Sequence, residues 1–368
     1  LGSSNVSIQT GSGNYDLTIN SAISYSGSNN LTLEAGQDVL INAAVDIDSG
    51  DLTITSGRDL SVGANLTSAT FTATVGQDAI VSNSINSGAG TLTINADNDI
   101  SLAANLTTTN TTNSAILLNA GKNDSAGSSS GGDISISGSP SISVGGSGQA
   151  IFYTGSITGS TGLTTLIGWG TGRFRYYSDE SASNYTTAIS SGKYAVYREQ
   201  PASSIVLSDT TLTYGSATPT ISTDNLQNGD TLTASIEDES YTDHGSDGTK
   251  YLDVKGEVDA ASGDFQVQSY SISENLSALG YNVTKNQTIT VNQKQVTLSA
   301  TKTYDGNNVL NGSEVTIGNL ITNEAIGYSG ATVRNKHVMA DATYRYINAI
   351  TLTNGTIQSP AINVGSAT

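Results

Sequence analysis

The chain has 368 residues, 36% hydrophobic and only 12% charged, with 32 acidic against 14 basic side chains and a formal net charge of −18. That charge opposes nucleic acid and anionic lipid as partners, because both call for a basic footprint. The absence of cysteine excludes a disulfide framework, a thiolate metal site and a cysteine nucleophile.

No apolar run approaches the ~18 residues of a membrane-crossing helix, so no membrane insertion is expected. The low hydrophobic content alone would suit a disordered chain, but disordered chains lack ordered apolar periodicity, and here it is abundant. The opening LGSSNVSIQTG starts in mid-pattern, so the sequence is expected to be part of a longer chain.

The first half repeats. Asp38, Asp59, Asp78 and Asp99 stand 21, 19 and 21 residues apart, and each closes a short polar turn: GQD, GRD, GQD and DND. One residue after the aspartate come Val39, Leu60, Ala79 and Ile100, and three after it come Ile41, Val62, Val81 and Leu102. Seven after it come Val45, Leu66, Ile85 and Leu106, and seven before it come Leu31, Leu52, Phe71 and Leu92. The phrase returns at Asp133 after the insertion KNDSAGSSSGG, and a looser copy precedes it at Leu17 and Ile19.

Period-2 apolar pairs separated by turns predict short strands with one buried face. About three such strands per ~20-residue period predict one coil of a β-solenoid, whose core forms only when coils stack. Residues 1–165 are therefore expected to form a right-handed parallel β-helix of seven or eight coils.

The repeat fades near residue 150. Residues 166–202 carry the only tryptophan, Trp169, and a dense group of aromatics, the composition expected of a cap over a solenoid's exposed edge and core. After Pro201, longer alternating strands separated by polar turns predict two immunoglobulin-like β-sandwich modules, at 203–293 and 294–368. The whole is expected to be all-β.

Four groups invite a chemical role. The aspartate column at 38, 59, 78, 99 and 133 could supply paired carboxylates to a β-helix glycosidase or lyase. A residue that follows the repeat, however, is better explained as a turn former that bonds backbone donors. Asp243 and Asp247, in the acidic stretch IEDESYTDHGSDGTKYLD with Glu237, Asp238, Glu239 and Asp253, are candidate calcium ligands, against a solvated acidic turn. Trp169, Arg173, Tyr176 and Tyr177 are candidates for glycan stacking, against service in the cap. Lys302, Tyr304 and Asp305 are simplest as a core anchor and a turn. His244 and His337 lie far apart, so neighbouring residues assemble no Ser-His-Asp or metal–histidine constellation.

LTYGSATPTIS (Leu212 to Ser222), LQNGDTL (Leu226 to Leu232) and LGYNVTKNQTITV (Leu279 to Val291) resemble the immunoglobulin-like MBG modules of large bacterial surface proteins. KTYDGNNVL (Lys302 to Leu310), with the terminal INVGSAT, resembles the related YDG module, which is expected to stop here before its closing strand. GRFRYYSD…KYAVYREQP (Gly172 to Pro201) is similar to the segment joining solenoid to MBG modules in filamentous-haemagglutinin-type exoproteins of two-partner secretion.

The resemblance implies export through an outer-membrane transporter to the cell surface or extracellular matrix. It also implies roles in adhesion, aggregation or biofilm attachment, with polysaccharide, cell-surface glycan or other copies of the adhesin as partners. No enzymatic activity is expected. The alternatives are a carbohydrate-binding module and, behind it, a polysaccharide-degrading β-helix enzyme.

Overall fold

The computed structural model describes residues 4–213, 219–237, 241–243, 250–252, 271–285, 290–292, 294–320, 325–337, 345–356 and 362–364. The chain divides into two compact units: Leu1–Ser204 with Thr223–Thr233 and Glu274–Thr284, and Ile205–Ser222 with Ala234–Ser273 and Lys285–Thr368.

The first unit is a parallel β-solenoid. Its first sheet has nine strands, beginning Val6–Gln9, Leu31–Ala35, Leu52–Ser56, Phe71–Val75, Leu92–Ala96, Ile116–Ala120 and Gln149–Thr154. The second and third sheets have six strands each, from Leu17–Ile19 to Ile134–Ile136 and from Ile23–Ser24 to Ile142–Ser143. Nine rungs exceed the seven or eight coils expected, because the rungs continue into the aromatic segment. At the inter-strand spacing they span roughly 38 Å.

Register follows the repeat: Phe71 lies between Leu52 and Leu92, Ala79 between Leu60 and Ile100, and Ile85 between Leu66 and Leu106. All nine of these side chains are buried, and each of the eight larger than alanine contributes about 1.5–3 kcal/mol. Phe71 is larger than the leucines above and below it. Two of the inward positions in its own coil are the small Ala73 and Ala79, where the next coil has Ile94 and Ile100. Packing volume is thus conserved within the coil, as close-packed interiors require. On the outer face, Thr32, Thr53, Thr72 and Thr93 stack in one column.

The glycine of each G-x-D turn is a packing requirement. A Cβ on Gly57 or Gly76 would overlap the carbonyl oxygen of the glycine one coil earlier. Where Asp97 takes that position, its carboxylate meets Lys122 Nζ at 3.0 Å and Asn123 Nδ2 at 2.9 Å, at the start of the Gly/Ser-rich insertion.

The last rungs leave chain order. Gly192–Tyr197 pairs with Gln149–Thr154, and Phe174–Arg175 pairs on its far side, so the later strand fills the inner place. A five-residue helix, Leu163–Ile167, buries Leu163 and Ile167 beside them.

The second unit contains Lys294–Ala300 between antiparallel Val315–Gly318 and parallel Ile362–Val364, and a bulged antiparallel pair, Ala325–Val333 with Ile347–Thr356. Among the described residues, Leu298, Leu310, Val315, Ala331 and Ile347 form one buried hydrophobic cluster in it. Among the described residues no helix is long and apolar enough to cross a membrane.

Candidate functional site

The aspartate column is a hydrogen-bond ladder. The Asp16 carboxylate accepts the Asp38 backbone N–H at 3.2 Å, Asp38 accepts that of Asp59 at 3.2 Å, and Asp59 accepts that of Asp78 at 3.2 Å. Asp78 accepts from Asp99 at 3.1 Å, Asp99 from Asp133 at 2.8 Å, and Asp133 from Ser156 at 2.7 Å. The bonds run to the next coil rather than within the turn. A turn amide in a parallel stack has no strand partner of its own, and a carboxylate one rung away satisfies it. Arg58 braces the lower rungs, reaching Asp38 through Nε at 2.8 Å and Asp59 at 3.1 Å. Burial and the neighbouring acids hold the Asp133 carboxyl above its ordinary range.

The cap is built from buried polar groups. Arg198 is fully buried, and its guanidinium donates to the Ala120 carbonyl at 2.6 Å, Asn119 Oδ1 at 2.7 Å and the Asp124 carbonyl at 2.9 Å. Arg175 is likewise buried and donates to the carbonyls of Gly172, Phe174, Thr187 and Ala188. A planar five-donor fork can tie several carbonyls at once, which an ammonium cannot.

Two segments distant in sequence complete this end. Leu279 accepts the Tyr176 N–H at 2.9 Å, and the Ala278 carbonyl accepts the N–H groups of Thr186 and Thr187, both at 3.0 Å. Gly280, at φ 104°, lies so close to Tyr176 that a Cβ there would overlap the Tyr176 carbonyl.

Asp230 sits at the junction. It is 5% exposed, and its Oδ2 accepts from Tyr176 Oη at 2.7 Å and Tyr281 Oη at 2.9 Å. Asn228 Nδ2 donates to Tyr176 Oη at 3.1 Å, and Thr164 donates to Asn228 at 2.6 Å. The Tyr176 ring stacks on Tyr197, with centroids 5.6 Å apart, and meets Tyr281 edge-on at 4.8 Å. Burial raises the Asp230 carboxyl, although both tyrosines oppose the shift; burial likewise pushes the hydroxyls of Tyr176 and Tyr281 above the ordinary tyrosine range. Asp230 Oδ1 has no hydrogen-bond partner. Asp230 lines a recess of about 380 Å³ together with Gly170, Thr171, Thr187, Gly229 and Asn275, among others.

The four glycan candidates do not share a surface. Trp169 is 73% exposed, whereas Tyr176 is wholly buried and offers no ring face. Arg173 donates to the Ser191 carbonyl at 2.9 Å and lies over the Tyr194 ring. Tyr177, half-buried at φ 54°, packs on Gly127. All four thus have cap contacts, Trp169 through Gly229, because closing a solenoid demands the same side chains that stacking on sugar would, and Trp169 alone keeps most of its ring exposed.

Asp243 stands opposite Lys250 in an antiparallel pair, Tyr241–Asp243 with Lys250–Leu252. Asp247 lies outside the described residues, as do Asp238, Glu239, His244 and Asp253. Among the described residues no group of three or more His, Asp or Glu could hold a metal ion.

In the second unit, Lys302 donates to Asp305 at 2.8 Å and to the Val309 carbonyl at 2.7 Å, and Asp305 accepts the Asn307 N–H at 3.0 Å. Asp305 forms the expected turn. Tyr304 is 61% exposed, so it is not the core anchor that the sequence suggested. His337 is exposed and isolated from any such group.

Asp230, Asn228, Tyr281 and Arg198 were not legible as a group in the sequence. The first three stand within LQNGDTL and LGYNVTKNQTITV, where Asn-Gly-Asp reads locally as a turn, and nothing local joins them to Tyr176. Comparison of the chain with protein-family models, curated proteins and solved structures returns no significant match.

Proposed function

We propose that the chain is a structural and adhesive rod segment of a secreted bacterial surface adhesin, with a right-handed solenoid as its stiff part and immunoglobulin-like modules following it. The observation that supports this is the aspartate ladder: six carboxylates, each bonded to the backbone of the next turn. A catalytic pair breaks a repeat and faces a cleft, whereas these acids continue the repeat and join rung to rung. The regular threonine column on the outer face suits an elongated spacer in the same way. Partners in this role are polysaccharide or cell-surface glycan, or other copies of the adhesin, after export through an outer-membrane transporter.

The test is incubation of the whole chain with a panel of bacterial and host polysaccharides, with and without calcium, scoring retention and new reducing ends. Retention without cleavage is expected. New reducing ends would overturn the proposal and return the carboxylates to catalysis. Neither retention nor cleavage would remove the adhesive part of the role.

A further inference from the structure

We infer that the recess beside Trp169 in the solenoid cap is a binding site for a neutral, hydroxyl-rich saccharide chain, with Trp169 as stacking platform and Asp230 as hydroxyl acceptor. The inference rests on the adhesive role and gives it a place and a ligand class.

Three independent observations converge. The first is the platform. Trp169 is 73% exposed yet held in place: the pyrrole edge of its indole packs against Gly229, at φ 77°, where even a Cβ would collide with the ring. The neighbouring Gly170 N–H is bonded to the Asn228 carbonyl at 3.0 Å. An exposed indole costs hydrophobic free energy, and a fixed one loses little entropy when a ligand covers it.

The second is the chemistry of the recess. Gly170 and Gly229, which flank the indole, both line it, and so do Thr171, Thr187 and Asn275. No lining residue is cationic. The nearby arginines are engaged with main-chain carbonyls, Arg173 at Ser191 and Arg175 at four others. Nothing there would neutralise an acidic sugar, and the net charge of −18 would repel one. At about 380 Å³ the recess falls within the size range of small-molecule sites.

The third is the unpartnered acceptor. Asp230 Oδ2 is satisfied by two tyrosines while Oδ1 has no donor. A buried acceptor without a partner is costly, and Oδ1 is sealed from solvent here, so a sugar hydroxyl supplies the missing donor once a lining side chain moves aside. A single carboxylate in a largely neutral lining is a poor match for calcium, which takes six to eight oxygens.

Trp169 is the only tryptophan in the chain, so its emission reports on this site alone. Cellohexaose, laminarihexaose, maltohexaose, mannohexaose and chitohexaose are titrated separately into the whole chain, with alginate and hyaluronan as acidic comparators. At least one neutral hexasaccharide is expected to shift the emission saturably. Asp230→Asn should weaken that binding at least ten-fold. Trp169→Ala and Thr187→Tyr, both at exposed positions, should abolish retention on the matching polysaccharide while leaving circular dichroism unchanged.

Unchanged emission with every neutral hexasaccharide would overturn the site, as would undiminished retention of Trp169→Ala and Thr187→Tyr, or binding confined to the acidic polymers. Retention of the wild-type chain with silent emission would sink this site and leave the adhesive role standing. Absence of all retention would sink both.

Discussion

Replacing Asp78 separates the two physical effects that act on the ladder. Its Oδ1 accepts the Asp99 N–H at 3.1 Å and Asn98 Nδ2 at 2.7 Å, with no cation beside it. Asp78→Ala removes the acceptor and strands a turn amide, which costs about 1–3 kcal/mol. Asp78→Asn keeps an oxygen acceptor and removes a charge stacked between Asp59 and Asp99. At one rung's spacing, ~4.8 Å, like charges in water repel by about 0.9 kcal/mol each. Screening at physiological salt reduces that by nearly half.

Asp78→Asn is therefore expected to be neutral or more stable than wild type by up to ~1 kcal/mol, and less sensitive to salt. Asp78→Ala should be destabilised by ~1–3 kcal/mol, with faster amide exchange at Asp99. Urea unfolding followed by far-ultraviolet circular dichroism gives the ordering, and hydrogen exchange locates it. Equal destabilisation by Asn and Ala would refute the reasoning, since it would mean that the charge, and hence a bridging cation, is what the turn needs.

Phe71→Ala should cost about 3–5 kcal/mol, measurable as a lowered urea midpoint, and Phe71→Leu should be partly rescued by Ala73→Ile, because the coil conserves volume. Gly280→Ala should detach the segment 274–284 from the cap, since its Cβ would overlap the Tyr176 carbonyl; limited proteolysis would then cut there first, and an unaltered digestion pattern would refute the close approach. The Asp230 carboxyl is raised in the folded protein, so folded chain binds that proton more tightly than unfolded chain, whose aspartate titrates near ~3.9. Its contribution to stability is present below that value and is lost as pH rises through the folded one. Unfolding midpoints measured from pH 4 to 7 should fall more in wild type than in Asp230→Asn, and parallel curves would contradict the burial.

The solenoid was legible because stacking makes sequence and structure share a period. Each rung meets only its neighbours, so Leu52, Phe71 and Leu92 must recur at one spacing, and any slip would turn their side chains to solvent. The aspartate column was legible as a turn feature for the same reason. Its bonding to the next coil was not, because a carboxylate's reach along the stack is a matter of three dimensions.

The cap shows the limit. Once the period ends, nothing in the sequence orders Gly192–Tyr197 ahead of Phe174–Arg175 in the sheet. Nothing local brings Asp230 and Tyr281 to Tyr176 across more than fifty residues. The aromatics announced a closure but not which faces it would hide, so Tyr176, Arg173 and Trp169 looked alike until burial separated them.

Sequence alone thus determined the all-β class, the coil period and the inward face, because local alternation and a repeating neighbour fix all three. Tertiary structure alone decided the order of the last rungs, the burial of Asp230 and the exposure of Trp169. These depend on long-range contacts, whose free energy comes from desolvation and hydrogen bonding between residues that carry no mark of each other along the chain.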